Sequence, residues 1–245
     1  VHILITRPET DAHDWRTRLE AAGAAVTVDP LLTITLMPPD TLDLDGVQAL
    51  IATSRNGLRG LAAASQQVLA DALTHPIFVV GPGTGALARA MGFATVHEGP
   101  ASARDLLPFI LATAKPRDGA LLHVCGTKLA FDLGAALAPS GYRLRRQIVY
   151  RSDPATALRP ETIAALASGR IDTVVLTSPL SAKTFAALAG IAALNEPCQR
   201  LIYVCLSNGI ADALAPLAPT DVRVADAPNS DAVFTLIQTL AAGRR

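Results

Sequence analysis

The 245-residue chain is short of the residues that announce most kinds of chemistry. Its three cysteines, Cys125, Cys198 and Cys205, form no C-x-x-C pair and cannot all bond to one another. That excludes a disulfide framework and points to a reduced, cytoplasmic chain. The five histidines (His2, His13, His75, His97 and His123) are scattered with no ligand-like spacing, so no metal is expected. Charge of neither sign is in excess, with 21 basic residues against 21 acidic ones. Nothing therefore suggests a nucleic-acid surface or a membrane-adsorbing face. Mean hydropathy is high at +0.35, yet no apolar run approaches the roughly 18–20 residues that span a bilayer. The N-terminal residues show no basic segment followed by an apolar stretch, so no signal peptide is expected. Aromatic residues are 4% of the chain and charged ones 17%, while 50% is hydrophobic. This is a compact aliphatic globule, long enough for one large domain or two ordinary ones.

What is present is a signature that occurs twice. VQALIATSRNGLRGLAA (Val47–Ala63) and IDTVVLTSPLSAKTFAAL (Ile171–Leu188) each run from an apolar stretch through Thr-Ser and a short turn into a helical pattern. An internal repeat of this kind predicts two related α/β domains whose strand ends face one cleft. The repeat extends further. IFVVGPGTGALARAMGFATVHEGPASARDLLPFI lines up with LIYVCLSNGIADALAPLAPTDVRVADAPNSDAVFTLI, and HILITRP…GAAVTVD with ALLHVCG…GYRLRRQIVY. Residues 1–118 and 119–245 read as an ancient duplication.

Short β-branched runs alternate with helical patterns, the signature of parallel α/β folds. The runs are 2–6, 25–29, 49–53, 77–81, 94–98, 120–125, 144–150, 173–177, 201–207 and 222–226, five strands per domain. Runs as uniformly apolar as IFVV suit strands covered by helices on both faces. Helices are expected over Asp11–Ala22, Gly57–Leu73, Thr84–Met91, Ser102–Ala112, Leu129–Ala138, Pro160–Ala167, Ser181–Leu188 and Gly209–Leu217, many opening on a capping residue. Two β-rich stretches, Leu31–Met37 and Ile148–Asp153, hold equivalent places and are the natural linkers between lobes.

The motif richest in chemistry is T-S-R-N-G at Thr53–Gly57, where Thr53 and Ser54 end a strand and Asn56-Gly57 turn into a helix. Ligands of open parallel sheets bind at such strand ends, and the amides of a helix start attract anions. Ser54 reads equally as a plain helix cap. Val80–Thr84 (VGPGT) is a second Gly-rich turn, in which Gly81, Gly83 and Thr84 let an oxygen approach the backbone. It is neither a Walker A loop nor a dinucleotide fingerprint. The repeat adds Ser178 and Ser181 in TSPLS, Ser207 in LSNG, Ser102 in ASARD and Asn229–Ser230 in PNSD. Arg7 follows the first strand, and Tyr150 lies in the second linker stretch, with Lys128 and Arg151 as further positive charge. Arg7 reads also as a surface arginine and Tyr150 as a packing tyrosine. No Ser-His-Asp set, Cys-His pair or carboxylate pair converges on these ends, so any catalysis is light on acid–base groups.

The ordered set ILITRP, GAAVTVDPLLTI, T-S-x-N-G, VGPGT, SARDLL, IVYR, DTVVLTS, CLSNGIADAL and DAPNSDAV resembles the uroporphyrinogen-III synthase family, from about Ile3 to Ile237. The resemblance implies two flavodoxin-like parallel-sheet lobes that exchange pieces of the duplication, one from 1–35 with 155–245 and the other from 36–154. A two-stranded linker near 31–37 and 148–153 would join them. It implies a cofactor-free, cyclising dehydration of hydroxymethylbilane to uroporphyrinogen III, with ring D inverted through a spiro intermediate. The implied catalytic residue is Tyr150, as hydrogen-bond donor to the departing hydroxyl. Arg7, Thr53, Ser54, Asn56, Gly57, Gly81, Gly83, Thr84, Ser102, Gly126, Ser178, Ser181 and Ser207 are the substrate-binding candidates. Where many bacterial relatives carry an R-G-x-x-G-R-like turn, this chain has CGTKLA (Cys125–Ala130), so only Gly126 carries over. A monomer that takes its substrate from the preceding synthase is expected. Two rival readings remain beside it. One is a non-catalytic two-lobed binder of a polyanion. The other is a regulator fused to DNA-binding elements, disfavoured by the neutral charge and by the GRR ending.

Overall fold

Alternation of apolar side chains between two faces builds the molecule, and strands β1 and β9 show how. β1 (His2–Ile5) sends Leu4 to one face and Ile3 and Ile5 to the other. β9 (Thr173–Leu176) sends Val174 and Leu176 to the first face and Val175 to the second. Both faces are covered by helices, so runs with no polar position are the stable solution. The computed structural model describes residues 1–100, 102–227 and 229–242, so that the GRR terminus and position 228 of the PNSD stretch lie outside the described residues, as does the Ser230 side chain.

Two compact units result, one of Val1–Thr33 with Asp153–Arg245 and one of Ile34–Ser152. The halves of the duplication, 1–118 and 119–245, therefore do not coincide with the units. In the first unit, β1 is followed by α1 (Glu9–Ala21) and β2 (Ala25–Val28). After the return of the chain come α7 (Pro160–Ala167), β9, α8 (Pro179–Ile191), α9 (Asn195–Gln199), β10 (Ile202–Cys205), α10 (Asn208–Asp212), β11 (Asp221–Val224) and α11 (Ser230–Ala242). The strand order is β11-β10-β9-β1-β2, every neighbouring pair parallel. One face packs Phe185 and Tyr203 edge to face at 6.0 Å, and the other sets Trp15 against Phe234 at 4.6 Å. Each such burial contributes about 1.5–3 kcal/mol.

The second unit runs β3 (Leu32–Leu36), β4 (Val47–Ala52), α2 (Arg55–Ala62), α3 (Gln66–Leu73), β5 (Ile77–Val80), α4 (Gly81–Met91), β6 (Val96–Gly99), α5 (Leu107–Thr113), β7 (Ala120–Gly126), α6 (Leu133–Leu137) and β8 (Leu144–Pro154). Its sheet order is β3-β8-β7-β4-β5-β6, with the pairs from β8 to β6 parallel. β3 and β8 carry the chain between units and pair with each other. The Met37 amide donates to the Val149 carbonyl at 2.8 Å, and the Ala155 amide to that of Leu31 at 2.9 Å. Register falling on one strand as it rises on the other makes this pair antiparallel.

Several expected elements shift. Among the described residues eleven strands form, because Leu31–Met37 becomes a full strand of the second sheet and Ile148–Asp153 is the far half of the long β8. The single helix expected over Gly57–Leu73 is two, because the Ser65 hydroxyl accepts from the Val68 amide at 3.3 Å and starts α3 afresh. α4 begins at Gly81 instead of Thr84, and β5 ends at Val80. The run 201–207 is cut to Ile202–Cys205, since Ser207 is already the cap position of α10.

Candidate active site at the strand ends

In each unit the order of strands reverses beside the first strand of the parallel set, between β4 and β7 in one and between β1 and β9 in the other. Crossovers leave such a point in opposite directions and expose the carboxyl ends of the two strands, where parallel sheets bind ligands. The repeated Thr-Ser turns follow β4 and β9.

In the second unit Ser54 takes extended angles (φ −156°, ψ 157°) as the cap of α2, and its hydroxyl accepts from the Gly57 amide at 3.4 Å. The same hydroxyl is hydrogen-bonded to the Tyr150 phenol at 3.1 Å. Tyr150 belongs to β8, two strands away in the sheet, and its ring crosses the end of β7 over Gly126. A Cβ on Gly126 would stand 2.8 Å from the Tyr150 ring, so only glycine admits the ring there. α2 is seated closely as well: a Cβ on Gly57 would lie 2.6 Å from the Val124 carbonyl oxygen, and one on Gly60 would overlap that of Val149.

The other candidates of this unit divide. Thr53 lies with its hydroxyl 3.2 Å from Nε2 of His123 on β7. Gly57 is buried and its amide is spent on Ser54, so its role is packing; Asn56 accepts from the Arg59 guanidinium at 3.0 Å. Gly81 takes φ +74°, which lets the chain turn from β5 straight into α4. Gly83 is exposed with open space around it, whereas Thr84 is buried in the same turn. The Ser102 hydroxyl donates to the Asp105 carboxylate at 2.7 Å and accepts the Asp105 amide at 3.3 Å, closing an exposed turn after β6. Arg55 opens α2, and Lys128 and Arg151 are exposed near the ends of β7 and β8.

In the first unit the Thr6 hydroxyl is buried and donates to the Val175 carbonyl at 2.9 Å, tying the two strands at the reversal. Arg7 is half-buried, its guanidinium 4.8 Å over the Trp15 ring and 3.8 Å from Asp11. Ser178 repeats the geometry of Ser54: φ −148°, ψ 149°, with its hydroxyl accepting the Ser181 amide at 3.0 Å. The Ser181 hydroxyl is buried 2.7 Å from that of Ser178. Ser207 holds the cap position of α10 in extended form (φ −160°, ψ 163°).

Chemically, these edges offer hydroxyls, helix-start amides and one phenol. The partner of Ser54 is a phenol, so the pair lacks the base that would make the serine a nucleophile. Burial pushes the Cys198 and Cys205 thiols up to about 11 and about 12, which removes them as thiolates near neutral pH. Among the described residues no group of three His, Cys, Asp or Glu is placed to hold a metal ion, and no helix is long and apolar enough to cross a membrane.

A family model described as uroporphyrinogen-III synthase HemD matches residues 13–235. The chain belongs to the uroporphyrinogen-III synthase family. It is accordingly an enzyme, a cyclising lyase of tetrapyrrole biosynthesis with a small-molecule tetrapyrrole substrate. Two solved structures of the family share its fold. Uroporphyrinogen-III synthetase from Helicobacter pylori is 16% identical with a TM-score of 0.66, over 98% of this chain and 99% of that one. A mutant uroporphyrinogen III synthase from the extreme thermophile Thermus thermophilus is 21% identical with a TM-score of 0.61, over 99% of this chain and 98% of that one. No curated protein sequence matches the chain significantly.

For a member of this family, two residues at the second unit's edge were not legible beforehand. Gly60 sits in a helix where glycine reads as a mild destabiliser, and its contact is with a strand nearly ninety positions on. His123 reads as one scattered histidine. The available signal is that ALLHVC places one polar side chain inside a fully buried strand.

Proposed function

We propose that this chain closes hydroxymethylbilane to uroporphyrinogen III, with inversion of ring D. The observation that carries the reading is the Ser54–Tyr150 hydroxyl pair, 3.1 Å apart at the end of β4 and beside the N-terminus of α2. The reaction begins as the terminal hydroxymethyl group loses its hydroxyl as water, leaving an azafulvene. Departure of hydroxide needs a proton or a strong hydrogen bond, and the Tyr150 phenol is the group that supplies it. Ser54 holds the phenol in place, and Gly126 leaves room for its ring. The azafulvene carbon then bonds to the substituted carbon of ring D, giving a spiro-pyrrolenine. That intermediate fragments and recloses at the other position, which inverts the ring.

Uncatalysed closure gives the non-inverted isomer, so the main task is to hold one folded conformer. Positioning of this kind accounts for several kcal/mol of barrier. Eight carboxylates on the substrate are met by helix-start amides and hydroxyls rather than by net charge, since basic and acidic residues balance at 21 each. Thr53, Gly81 and Gly83 offer such contacts at the second unit's strand ends, where the Ser102 hydroxyl is instead spent on Asp105; Ser178 and Ser207 offer them at the first unit's, beside the Arg7 guanidinium. The enzyme acts as a cytoplasmic monomer and receives its linear substrate from the enzyme that makes it.

Turnover of hydroxymethylbilane by Tyr150→Phe tests the reading. kcat falls on the order of a hundredfold, with unchanged circular dichroism. Turnover equal to that of the unaltered protein removes Tyr150 from the mechanism.

A further inference from the structure

One buried polar group at the second unit's edge has no part in the chemistry so far. His123 lies on β7 with its backbone in register with Ile51 of β4 and Arg146 of β8, in a strand whose seven residues are all buried. Its side chain is 1% exposed. A leucine there would avoid the cost of stripping water from an imidazole. The ring has one bond, from Nε2 to the Thr53 hydroxyl at 3.2 Å, and Nδ1 has no partner among the described residues.

These two facts set the direction of the bond. Burial and the nearby Arg146 guanidinium hold the ring neutral well below pH 6.5, at about 4, against the weaker pull of Asp132 at the start of α6. A neutral imidazole has one N–H and one lone pair. With the proton on Nδ1, a buried N–H would go unpaired, and buried donors are left unpaired more rarely than acceptors. The proton is then on Nε2 and is donated to Thr53 Oγ. Having accepted that bond, the Thr53 hydroxyl has its own proton to give elsewhere.

We propose that His123 is a positioning residue: its Nε2–H fixes the Thr53 hydroxyl as an acceptor, and so aims the threonine's O–H, beside Ser54, at a carboxylate oxygen of the substrate. The inference rests on reading this edge as the substrate site. Its first consequence concerns the ring alone and needs no turnover.

The test has two arms. In protein labelled with 15N-histidine, long-range 1H–15N correlations at pH 7 show His123 as the neutral Nε2–H form; the Nδ1–H form or an imidazolium overturns the proposal. In the kinetic arm, His123→Leu and Thr53→Val each raise KM roughly three- to tenfold, the loss of one hydrogen bond, with kcat within about twofold. The double variant is no worse than either single one, and His123→Gln, whose amide N–H can reach the hydroxyl, restores most of the loss. Effects that multiply in the double variant, or a fall in kcat alone, overturn it. If Tyr150→Phe is inert while the ring is the Nε2–H form, the proposed reaction mechanism fails and the assignment of His123 stands.

Discussion

Tyr150 meets Ser54 across 96 positions of sequence because residue 126 has no side chain. Gly126→Ala places a methyl group against the ring and displaces the phenol from Ser54. Its kcat should fall to about that of Tyr150→Phe, and combining the two should add little, as steady-state turnover on hydroxymethylbilane would show. Equal and independent losses would mean that the glycine acts elsewhere. His123 makes a second prediction, on stability. Its folded-state pKa, about 4, lies below the ordinary 6.5, so the unfolded chain takes up the proton first. The stability associated with the neutral ring is present in full above about pH 6.5 and declines as pH falls towards about 4, by up to about 1.4 kcal/mol per pH unit. Urea midpoints measured across that range should slope less for His123→Gln than for the unaltered protein. At this scale the candidates were legible where a motif marks a strand end, as at Thr53, Ser54 and Ser178. Which hydroxyls are used internally was not, because Ser54 meets Tyr150 from 96 positions away and Thr53 meets His123 from 70. Burial of Ser181 and Thr84 likewise depends on the packed fold.

Helix α2 illustrates what a glycine decides for an element. Gly57 and Gly60 let it lie against the carbonyls of Val124 and Val149, on β7 and β8. Gly60→Ala should cost about 1–3 kcal/mol through overpacking, more than the roughly 1 kcal/mol that alanine gains in helix propensity. Chemical denaturation checks this. Gly83 is the contrast, since it opens α4 with nothing within 4 Å of a built Cβ. Gly83→Val should change stability by less than about 0.5 kcal/mol yet raise KM, because it fills space that a carboxylate would approach. An unchanged KM would remove the α4 turn from the binding surface. The strands were legible because buried parallel strands leave uniform apolar runs. Boundaries moved where a cap intervened, as Ser65 and Ser207 do, and a capping serine looks the same within a helix pattern as before one. That Leu31–Met37 would be a sixth strand of the second sheet depends on Val149 as its partner, which no local pattern records.

For the whole molecule, the duplication was visible in the doubled Thr-Ser turn and its flanking alignments. The exchange of pieces, Val1–Thr33 joining Asp153–Arg245, was not readable from the repeat, which serves a tandem arrangement equally well. Family resemblance supplied it. On the proposed reading a chain with 21 charges of each sign binds a polyanion through oriented amides, hydrogen-bond contacts at close range that salt screens less than attraction between separated exposed charges. KM should therefore rise less than about threefold as ionic strength goes from about 0.05 to 0.5 M, whereas recognition by several exposed cations would give a steeper rise. The central claim is that the strand ends hold hydroxymethylbilane in the conformer that inverts ring D. The most direct measurement supplies the protein with hydroxymethylbilane and identifies the porphyrinogen isomer formed. The account predicts the type III isomer in excess over the spontaneous product, and type I alone would contradict it.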